Sequence, residues 1–260
     1  MADCNGCPSK DNCTSKDDCM IKDNPNSNVK NIIGVMSGKG GVGKSTVSAM
    51  IAEELNRKGF KVGILDADIT GPSIPRLLGI KDRKATANES GLIPVTTKDG
   101  IKVVSLNLLM EDENQPVIWR GPIIAGVVEQ FWTDVLWGEL DYLIIDMPPG
   151  TGDVALTVMQ SIPISGIIMV SVPQDLVSMI VSKAVNMVRK LNIPVLGIVE
   201  NMSYINCPDC GKKIRIFESG NTSEFLKEND LKLLAELPMC KDIANVSENG
   251  NEISNQEIKE

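Results

Sequence analysis

The chain of 260 residues contains no histidine, the side chain that most often serves proteins as a catalytic base and as a metal ligand. Proton transfer must therefore depend on a carboxylate or on a bound ligand, and a metal must be held largely by thiolates or carboxylates. Aromatic residues are also scarce, with three Trp, two Tyr and four Phe, so we expect no stacking platform for nucleic-acid bases.

Positive charge and long apolar runs are in short supply too. The net charge is -8, whereas nucleic-acid binding demands patches of Lys and Arg, so we expect no nucleic acid among the partners. The most apolar stretch, residues 162–172, contains Pro163 and is too short to cross a bilayer. The N-terminus lacks the pattern of a secretory signal, and residues 248–260 lack a basic amphipathic helix. We therefore expect a cytoplasmic protein without a membrane partner.

The composition that remains is that of a globular protein, with 42% hydrophobic and 23% charged residues. The sequence divides into a polar, cysteine-containing tail at residues 1–28, a main domain at residues 29–247 and an acidic tail at residues 248–260. The first tail has almost nothing apolar to bury, so we expect it to be flexible by itself.

Short apolar runs alternate with amphipathic segments along the main domain. Runs at residues 62–65, 142–145, 166–170 and 195–199 are typical of strands buried on both faces, as in a parallel sheet. Helical patterns lie between them, one ending near Gly59 and another over residues 176–191. The alternation predicts an α/β fold, a doubly wound, mostly parallel sheet with helices on both faces. A phosphate-binding loop, described next, predicts that this sheet is of the P-loop NTPase type. Residues 92–97 and 101–106 are predicted to form a hairpin inserted in that plan.

A glycine-rich loop follows the first apolar run and opens a helix, the context that a phosphate-binding loop requires. Its glycines allow backbone N–H groups to surround a phosphate at the positive end of the helix dipole. We expect Lys44 to reach the β- and γ-phosphates and Ser45 to ligate Mg²⁺. The loop, called the P-loop below, is Gly38, Lys39, Gly40, Gly41, Val42, Gly43, Lys44, Ser45 and Thr46.

Lys39 is a second lysine near the start of the P-loop, and here the sequence resembles the MinD/ParA-like ATPases. That resemblance implies that Lys39 reaches the nucleotide of a facing subunit, as an arginine finger does, and hence that the active form is a homodimer. The alternative is a solvated lysine on a loop.

Polar residues follow the apolar runs, at strand ends that share one edge of a doubly wound sheet, where ligands bind. Asp146 ends one run and suits the carboxylate that holds a Mg²⁺-bound water. Asp66 and Asp68 end another, and the resemblance implies that Asp68 orients the attacking water while Asp66 acts on the Mg²⁺ side. Asn201 resembles the residue that reads the adenine edge in the same class. Helix capping or turn formation is the alternative role for the aspartates and for Asn201.

Two groups of cysteines remain. Cys207 and Cys210 have the C-x-x-C spacing that directs two thiolates to one metal, which is half of a tetrahedral set. The set could be completed by a symmetric dimer or by the N-terminal cysteines, or the pair could be a redox pair. Four cysteines of the N-terminal tail are candidate ligands of an iron–sulfur cluster or of zinc: Cys4, Cys7, Cys13 and Cys19. The alternative is that their thiols are incidental. Cys240 has no partner in the sequence and is interpreted as a packed residue or as part of a pocket wall.

Taken with the P-loop, these motifs resemble the Mrp/ApbC family of iron–sulfur cluster carrier ATPases over residues 30 to about 245. The resemblance implies ATP as the nucleotide and a [4Fe–4S] cluster bridged between two subunits by Cys207 and Cys210. It also implies transfer of that cluster to apo iron–sulfur proteins, with assembly scaffolds as further partners. The further segments that carry the resemblance are residues 119–122, 146–153 and 200–203.

The sequence departs from the related cytosolic scaffolds in two places. The gaps between Cys4, Cys7 and Cys13 match their N-terminal cluster motif, but Cys19 follows these three, whereas the fourth cysteine of the scaffolds precedes them. The glycine-rich segment after the C-x-x-C motif is reduced to residues 217–222.

Two other functions fit part of the pattern. An ATPase with a structural zinc at Cys207 and Cys210 is one, because Cys-Pro-x-Cys-Gly is equally typical of a zinc knuckle. A positioning switch of the MinD/ParA type is the other, but it predicts a membrane helix or a basic surface, and the sequence has neither.

Overall fold

A computed structural model describes residues 24–69, 71, 73–110, 121–176, 179–215 and 222–239. The strands are β1 (Ser27–Ser37), β2 (Val62–Asp66), β3 (Thr86–Asn88), β4 (Gly91–Ile93), β5 (Val95–Thr96), β6 (Lys102–Val104), β7 (Gly138–Asp146), β8 (Gly166–Ser171), β9 (Val195–Asn206), β10 (Lys213–Ile214) and β11 (Leu233–Pro238). The helices are α1 (Lys44–Arg57), α2 (Ile74–Leu77), α3 (Gly121–Thr133), α4 (Asp153–Ser161), α5 (Pro173–Leu176), α6 (Met179–Lys190) and α7 (Thr222–Glu228), with a 3₁₀ turn at Leu106–Leu108.

Nine strands form one sheet in the order β10-β9-β8-β1-β7-β2-β6-β5, with β11 paired to β9. The pairings among β1, β2, β6, β7, β8, β9 and β11 are parallel, whereas β5 and β10 join as antiparallel partners. The doubly wound, mostly parallel sheet predicted from the sequence is confirmed.

The core lies on both faces of this sheet, because neighbouring residues of each central strand point to opposite sides. Ile144 belongs to a cluster with α1 and α2, and Ile145 to a second cluster with α3, α4 and α6. Uninterrupted apolar runs were the signal for strands covered on both faces, and the two clusters explain why they are uninterrupted.

The predicted hairpin is present but has a different place in the fold. β5 pairs antiparallel with β6 as expected. β6 also pairs in parallel with β2, so one arm of the hairpin is a strand of the main sheet and not an insertion. Residues 91–93 form β4 instead, which pairs with β3 in a separate two-stranded sheet.

Helix α1 is the longest helix of the described residues, at 14 residues. No helix in this part of the chain is long and apolar enough to span a membrane.

Candidate nucleotide and metal site

The P-loop joins the end of β1 to the start of α1. Gly41 and Gly43 both have a φ of 81°, in the left-handed region that glycine adopts without strain. The turn delivers the chain into α1 at Lys44, with no acidic residue in the first turn of that helix. The exposed N–H groups and the helix dipole therefore favour an anion at this point.

Lys44 brings two of the predicted carboxylates together. Its Nζ lies 2.9 Å from Oδ1 of Asp146 and 3.5 Å from Oδ2 of Asp68. Lys44 and Asp146 are buried, while Asp68 keeps 14% of its side chain exposed. Residues far apart in sequence thus meet at the carboxyl edge of the sheet, as the strand ends predicted.

Two hydroxyl groups hold Asp146 in place. Ser45 donates to Oδ2 at 2.6 Å, and Ser48 donates to Oδ1 at 2.7 Å. The sequence motif indicated Ser45 only. Ser48 follows Lys44 by four residues and therefore lies on the same face of α1, a spacing that could have identified it.

Asp66 lies beside Asp146, because the two residues are paired at the ends of β2 and β7. Burial, and then the negative charge of Asp146, raise the pKa of Asp66 well above its usual range, although Lys44 and Ser105 oppose the shift. Ser105 donates to Oδ2 of Asp66 at 3.0 Å. Ser105 escaped the sequence analysis, since it follows β6 and meets Asp66 only through the pairing of β6 with β2.

This group of oxygen atoms suits Mg²⁺ in its chemistry. Hydroxyl and carboxylate oxygens are the donors that Mg²⁺ prefers, and it commonly takes few protein ligands together with phosphate oxygens. No three acidic or cysteine side chains among the described residues are close enough to hold a metal by themselves. The arrangement therefore fits a cation that arrives with a phosphate.

Asn201 of β9 contacts the P-loop directly. Its side chain is 2% exposed, and its Nδ2 donates to the backbone oxygen of Val42 at 2.9 Å. A Cβ atom on Gly43 would lie 2.2 Å from the same Nδ2. The amide thus supports the loop, and an adenine contact by Asn201 stays a prediction.

Lys39 lies on the exposed rim of the P-loop. A shallow depression beside it is lined by Gly38, Lys39, Val42, Val170, Ser171, Ile180 and Val181. Two apolar side chains at the start of α6 are open to solvent here, Met179 at 68% and Ile180 at 45%. An apolar surface next to the nucleotide loop is what a facing protein would cover.

Cys207 and Cys210 lie in the turn between β9 and β10. The turn is closed by the N–H of Cys207, which donates to Lys212 at 3.0 Å, and by the N–H of Gly211, which donates to Cys207 at 2.9 Å. Both thiols are free, with Cys207 half-buried and Cys210 exposed. Backbone N–H groups, that of Cys210 first and that of Asp209 next, lower the pKa of Cys207 and favour its thiolate. We call residues 207–212 with the two flanking strands the thiolate hairpin.

Other predicted residues fall outside the described part of the chain. They are Cys4, Cys7, Cys13, Cys19, Trp119, Arg120 and Cys240, together with the acidic segment 248–260.

Comparison with known families and proteins places these motifs in context. A ParA-type family model described as NUBPL iron-transfer P-loop NTPase matches residues 28–260. The iron-sulfur cluster carrier protein of Clostridium perfringens (strain 13 / Type A) is 54% identical over 230 residues, covering 86% of this chain and 81% of that protein. The iron-sulfur cluster carrier protein of Methanocaldococcus jannaschii is 46% identical over 249 residues, covering 92% of this chain and 86% of that protein.

Solved structures with the same fold include close and distant ones. A nucleotide-binding protein from Archaeoglobus fulgidus, in complex with ADP, is 44% identical with a TM-score of 0.77, covering 87% of this chain and 88% of that one. The cell division ATPase MinD of Pyrococcus furiosus has a TM-score of 0.61 at 22% identity, covering 88% of this chain and 92% of that one, which supports the fold alone.

Proposed function

Because the chain belongs to the NUBPL-type iron-transfer P-loop NTPases, and is thus an ATP-hydrolysing enzyme of the MinD/ParA-like class, we propose that it carries iron–sulfur clusters. Two copies hold one [4Fe–4S] cluster between them, with Cys207 and Cys210 of each as its ligands. The cluster is cargo, and it passes to apo iron–sulfur proteins after arriving from assembly scaffolds.

The observation that carries this proposal is the incomplete ligand set of the thiolate hairpin. Two free thiols, separated by two residues in sequence, lie on one turn, and no third cysteine or acidic residue of the described chain joins them in a metal site. A [4Fe–4S] cluster takes four thiolates, which a two-fold symmetric pair of C-x-x-C turns supplies. Exposure suits a transfer function, since a client thiolate must reach the cluster to displace these ligands.

We propose the following roles at the nucleotide site, which the contacts of Lys44 with Asp146 and Asp68 support. Lys44 would neutralise the β- and γ-phosphates from the buried side of the loop, and Ser45 and Asp146 would hold Mg²⁺, which would supply positive charge to the phosphoryl group during its transfer. Asp68, at the exposed side of Lys44, orients the attacking water, and Asp66 acts on the Mg²⁺ side. The remaining contacts to the nucleotide come from Gly38, Gly40, Gly41, Val42, Gly43 and Thr46 of the same loop, from Asn201 at the adenine and from Lys39 in the facing subunit.

We further propose the cytoplasm as the site of action. Cys207 and Cys210 are free and at least partly exposed, and such thiols persist where glutathione and thioredoxin keep them reduced.

The test is anaerobic reconstitution with iron and sulfide, followed by iron and sulfide counts and Mössbauer spectroscopy. A background with Cys4, Cys7, Cys13 and Cys19 all changed to Ser keeps the N-terminal thiols out of the count. In this background, the Cys207→Ala/Cys210→Ala variant is expected to bind no cluster and therefore to transfer none to apo-aconitase, which serves as the probe. Full cluster content and transfer in that variant would refute the proposal, as would bound zinc without sulfide in the parent protein purified without oxygen.

A mixing experiment tests whether the site is shared. Apo parent chains are mixed with the double cysteine variant before reconstitution, at a series of ratios. If each cluster needs two intact chains, cluster content falls as the square of the parent fraction, because only parent–parent dimers are loaded. A linear fall would mean that each chain holds its own metal.

A further inference from the structure

Strand β9 contacts the P-loop and also leads into the thiolate hairpin. Asn201 lies in its middle and contacts Val42, while Cys207 follows its last residue, Asn206. At a rise of about 3.3 Å per residue, the two contact points are roughly 20 Å apart along one strand. The nucleotide loop and the cargo thiols are therefore connected by a single short stretch of backbone.

The contact at the P-loop leaves little freedom. Asn201 is buried, donates to the oxygen of Val42, and occupies the space where Gly43 lacks a side chain. Gly43 also has its φ in the left-handed region, so a side chain there would be strained by the backbone conformation as well as by the amide. A shift of Val42 and Gly43 when phosphate binds must move Asn201 or break its hydrogen bond.

The segment after Asn201 is strained and braced. Met202 has a φ of 54°, a conformation that side chains with a Cβ adopt at a cost. Ser203 donates to Oε2 of Glu200 at 2.6 Å across this kink, and both residues are buried. The other carboxylate oxygen of Glu200, Oε1, is buried without a hydrogen-bond partner. A strained backbone and an unpaired buried oxygen both cost free energy, and they persist only where the surrounding structure stabilises this conformation of the segment.

The far end of β9 forms the first arm of the thiolate hairpin and is held by contacts with two other segments. Tyr204 is 4% exposed, and its backbone oxygen accepts a hydrogen bond from the N–H of Met239 at 2.7 Å. The ammonium group of Lys213, in β10, lies 4.3 Å from the centre of the Tyr204 ring. β9 is itself one arm of the turn that carries the thiols, and the contact between Tyr204 and Lys213 transmits its movement to β10, the other arm.

We propose that Asn201 is a positioning residue that couples the P-loop to Cys207 and Cys210 through β9. The nucleotide bound at the P-loop sets the position of Val42 and Gly43. A displacement of these residues moves Asn201, and β9 transmits the movement to the turn that holds Cys207 and Cys210. Nucleotide state thus sets how firmly the cluster is held. This inference rests on the proposed function, because it requires a cluster at these thiols.

The experiment measures cluster release from the reconstituted full chain to an iron chelator, with saturating Mg-ADP or saturating Mg²⁺ and a non-hydrolysable ATP analogue. For the parent protein we expect the two release rates to differ on the order of fivefold or more, the usual size of coupling between two sites. In Asn201→Ala we expect the ratio to fall below about twofold, with nucleotide occupancy verified in the same samples.

Asn31→Ala is the matched control. The Asn31 amide also donates to a backbone oxygen, that of Asp141 at 3.0 Å, but it lies on β1 away from the P-loop and the hairpin. It is expected to keep the parent ratio. Ser203→Ala removes the brace without touching the P-loop, and it too should lower the ratio. It therefore decides the question if Asn201→Ala fails to fold or to bind nucleotide.

Two outcomes overturn the coupling. One is a parent-like ratio in Asn201→Ala at full nucleotide occupancy, or in Ser203→Ala where Asn201→Ala cannot be loaded. The other is a parent protein whose cluster sits on Cys207 and Cys210 but is released at one rate in both nucleotide states. Either result leaves the carrier function standing, whereas a protein that holds no cluster at these cysteines refutes the proposed function first.

Discussion

Gly43 is the residue of the P-loop with the least room for change. A Cβ atom there would lie 2.2 Å from the Asn201 amide, and the residue has a φ of 81°. Gly40, in the same loop, has nothing within 4 Å of the corresponding position. The two glycines are equivalent in the sequence motif, but they differ in the space around them and in backbone conformation.

We expect Gly43→Ala to lower the free energy of unfolding by about 2 kcal/mol, from backbone strain together with the displaced amide. Gly40→Ala should change it by less than about 0.5 kcal/mol, as a substitution without contacts does. Urea denaturation without nucleotide measures both. Equal losses in the two variants would show that the Asn201 contact does not constrain the loop.

Asp66 supplies a prediction about pH. Its pKa is raised by burial and by Asp146 above the ordinary value of 3.8, so at higher pH the folded chain must keep a buried carboxylate ionised. The favourable contribution of the protonated group is present at low pH and is lost as the pH rises through the raised pKa. The Asn side chain of Asp66→Asn does not ionise, so this variant should be more stable than the parent protein at high pH.

The gain in unfolding free energy for Asp66→Asn should grow as the pH rises from about 4, where an unfolded Asp titrates, through the raised pKa of the folded chain. Urea denaturation of both proteins across this range, without nucleotide and Mg²⁺, gives the difference. A gain that is the same at every pH would contradict the assigned cause.

Sequence patterns located some residues of the site and missed others for a physical reason. Lys44 and Asp146, which the structure brings into contact, were predicted because a phosphate-binding loop has a lysine at a fixed spacing and a Mg²⁺-side carboxylate at a strand end. Ser48 and Ser105 were missed because they serve the carboxylates and not the ligand. Their partners are set by strand register and helix packing, which leave no fixed spacing in the chain.

At the level of elements, the start of α6 presents an unusual surface. Met179 and Ile180 are exposed next to the depression beside Lys39. If the facing subunit brings its own Lys39 to this nucleotide, it must cover this part of α6 as well. The apolar side chains would then be buried in the dimer.

We expect Met179→Asp to weaken the dimer formed with a non-hydrolysable ATP analogue by about tenfold or more, because a charge replaces a buried apolar contact. Leu196→Asp is the control: Leu196 is 40% exposed but lies at the start of β9, away from the carboxyl edge of the sheet. Sedimentation velocity over a concentration series measures both. An equal effect of the two changes would place the interface elsewhere.

The strands that could be predicted from the sequence are those with a clear hydrophobic pattern. Strands buried on both faces, such as β2 and β7, have continuous apolar runs and were predicted. Strand β11 was not, since it lies at the edge of the sheet, begins with two exposed leucines and contains Glu236. The role of β6 was also misjudged, because its partner β2 is distant in sequence and only the tertiary fold supplies it.

At the level of the whole molecule, the proposal that two chains share each nucleotide site can be tested by complementation. Lys39→Ala lacks the lysine that would act on the facing nucleotide, and Lys44→Ala lacks the lysine for its own phosphates. We expect each variant to lose ATP hydrolysis as a homodimer. In a mixed dimer, however, the Lys44→Ala chain still offers its Lys39 to the intact P-loop of the other chain.

Mixing the two inactive variants in equal amounts should therefore restore about a quarter of parent activity, since half of the dimers are mixed and each has one working site. Phosphate release at protein concentrations that favour dimers is the measurement. Each variant mixed with itself is the control. Absence of recovery would place the action of Lys39 within its own chain.

The thiolate hairpin is made from neighbours in the chain. Residues 195–215 supply the strand, the turn and the return strand, and backbone hydrogen bonds close the turn around Cys207. The thiols are thus presented by the polypeptide alone, in contrast to small zinc domains that fold only around their metal. If Cys207 and Cys210 hold the proposed cluster, a turn closed by its own backbone hydrogen bonds can release that cluster and then bind another.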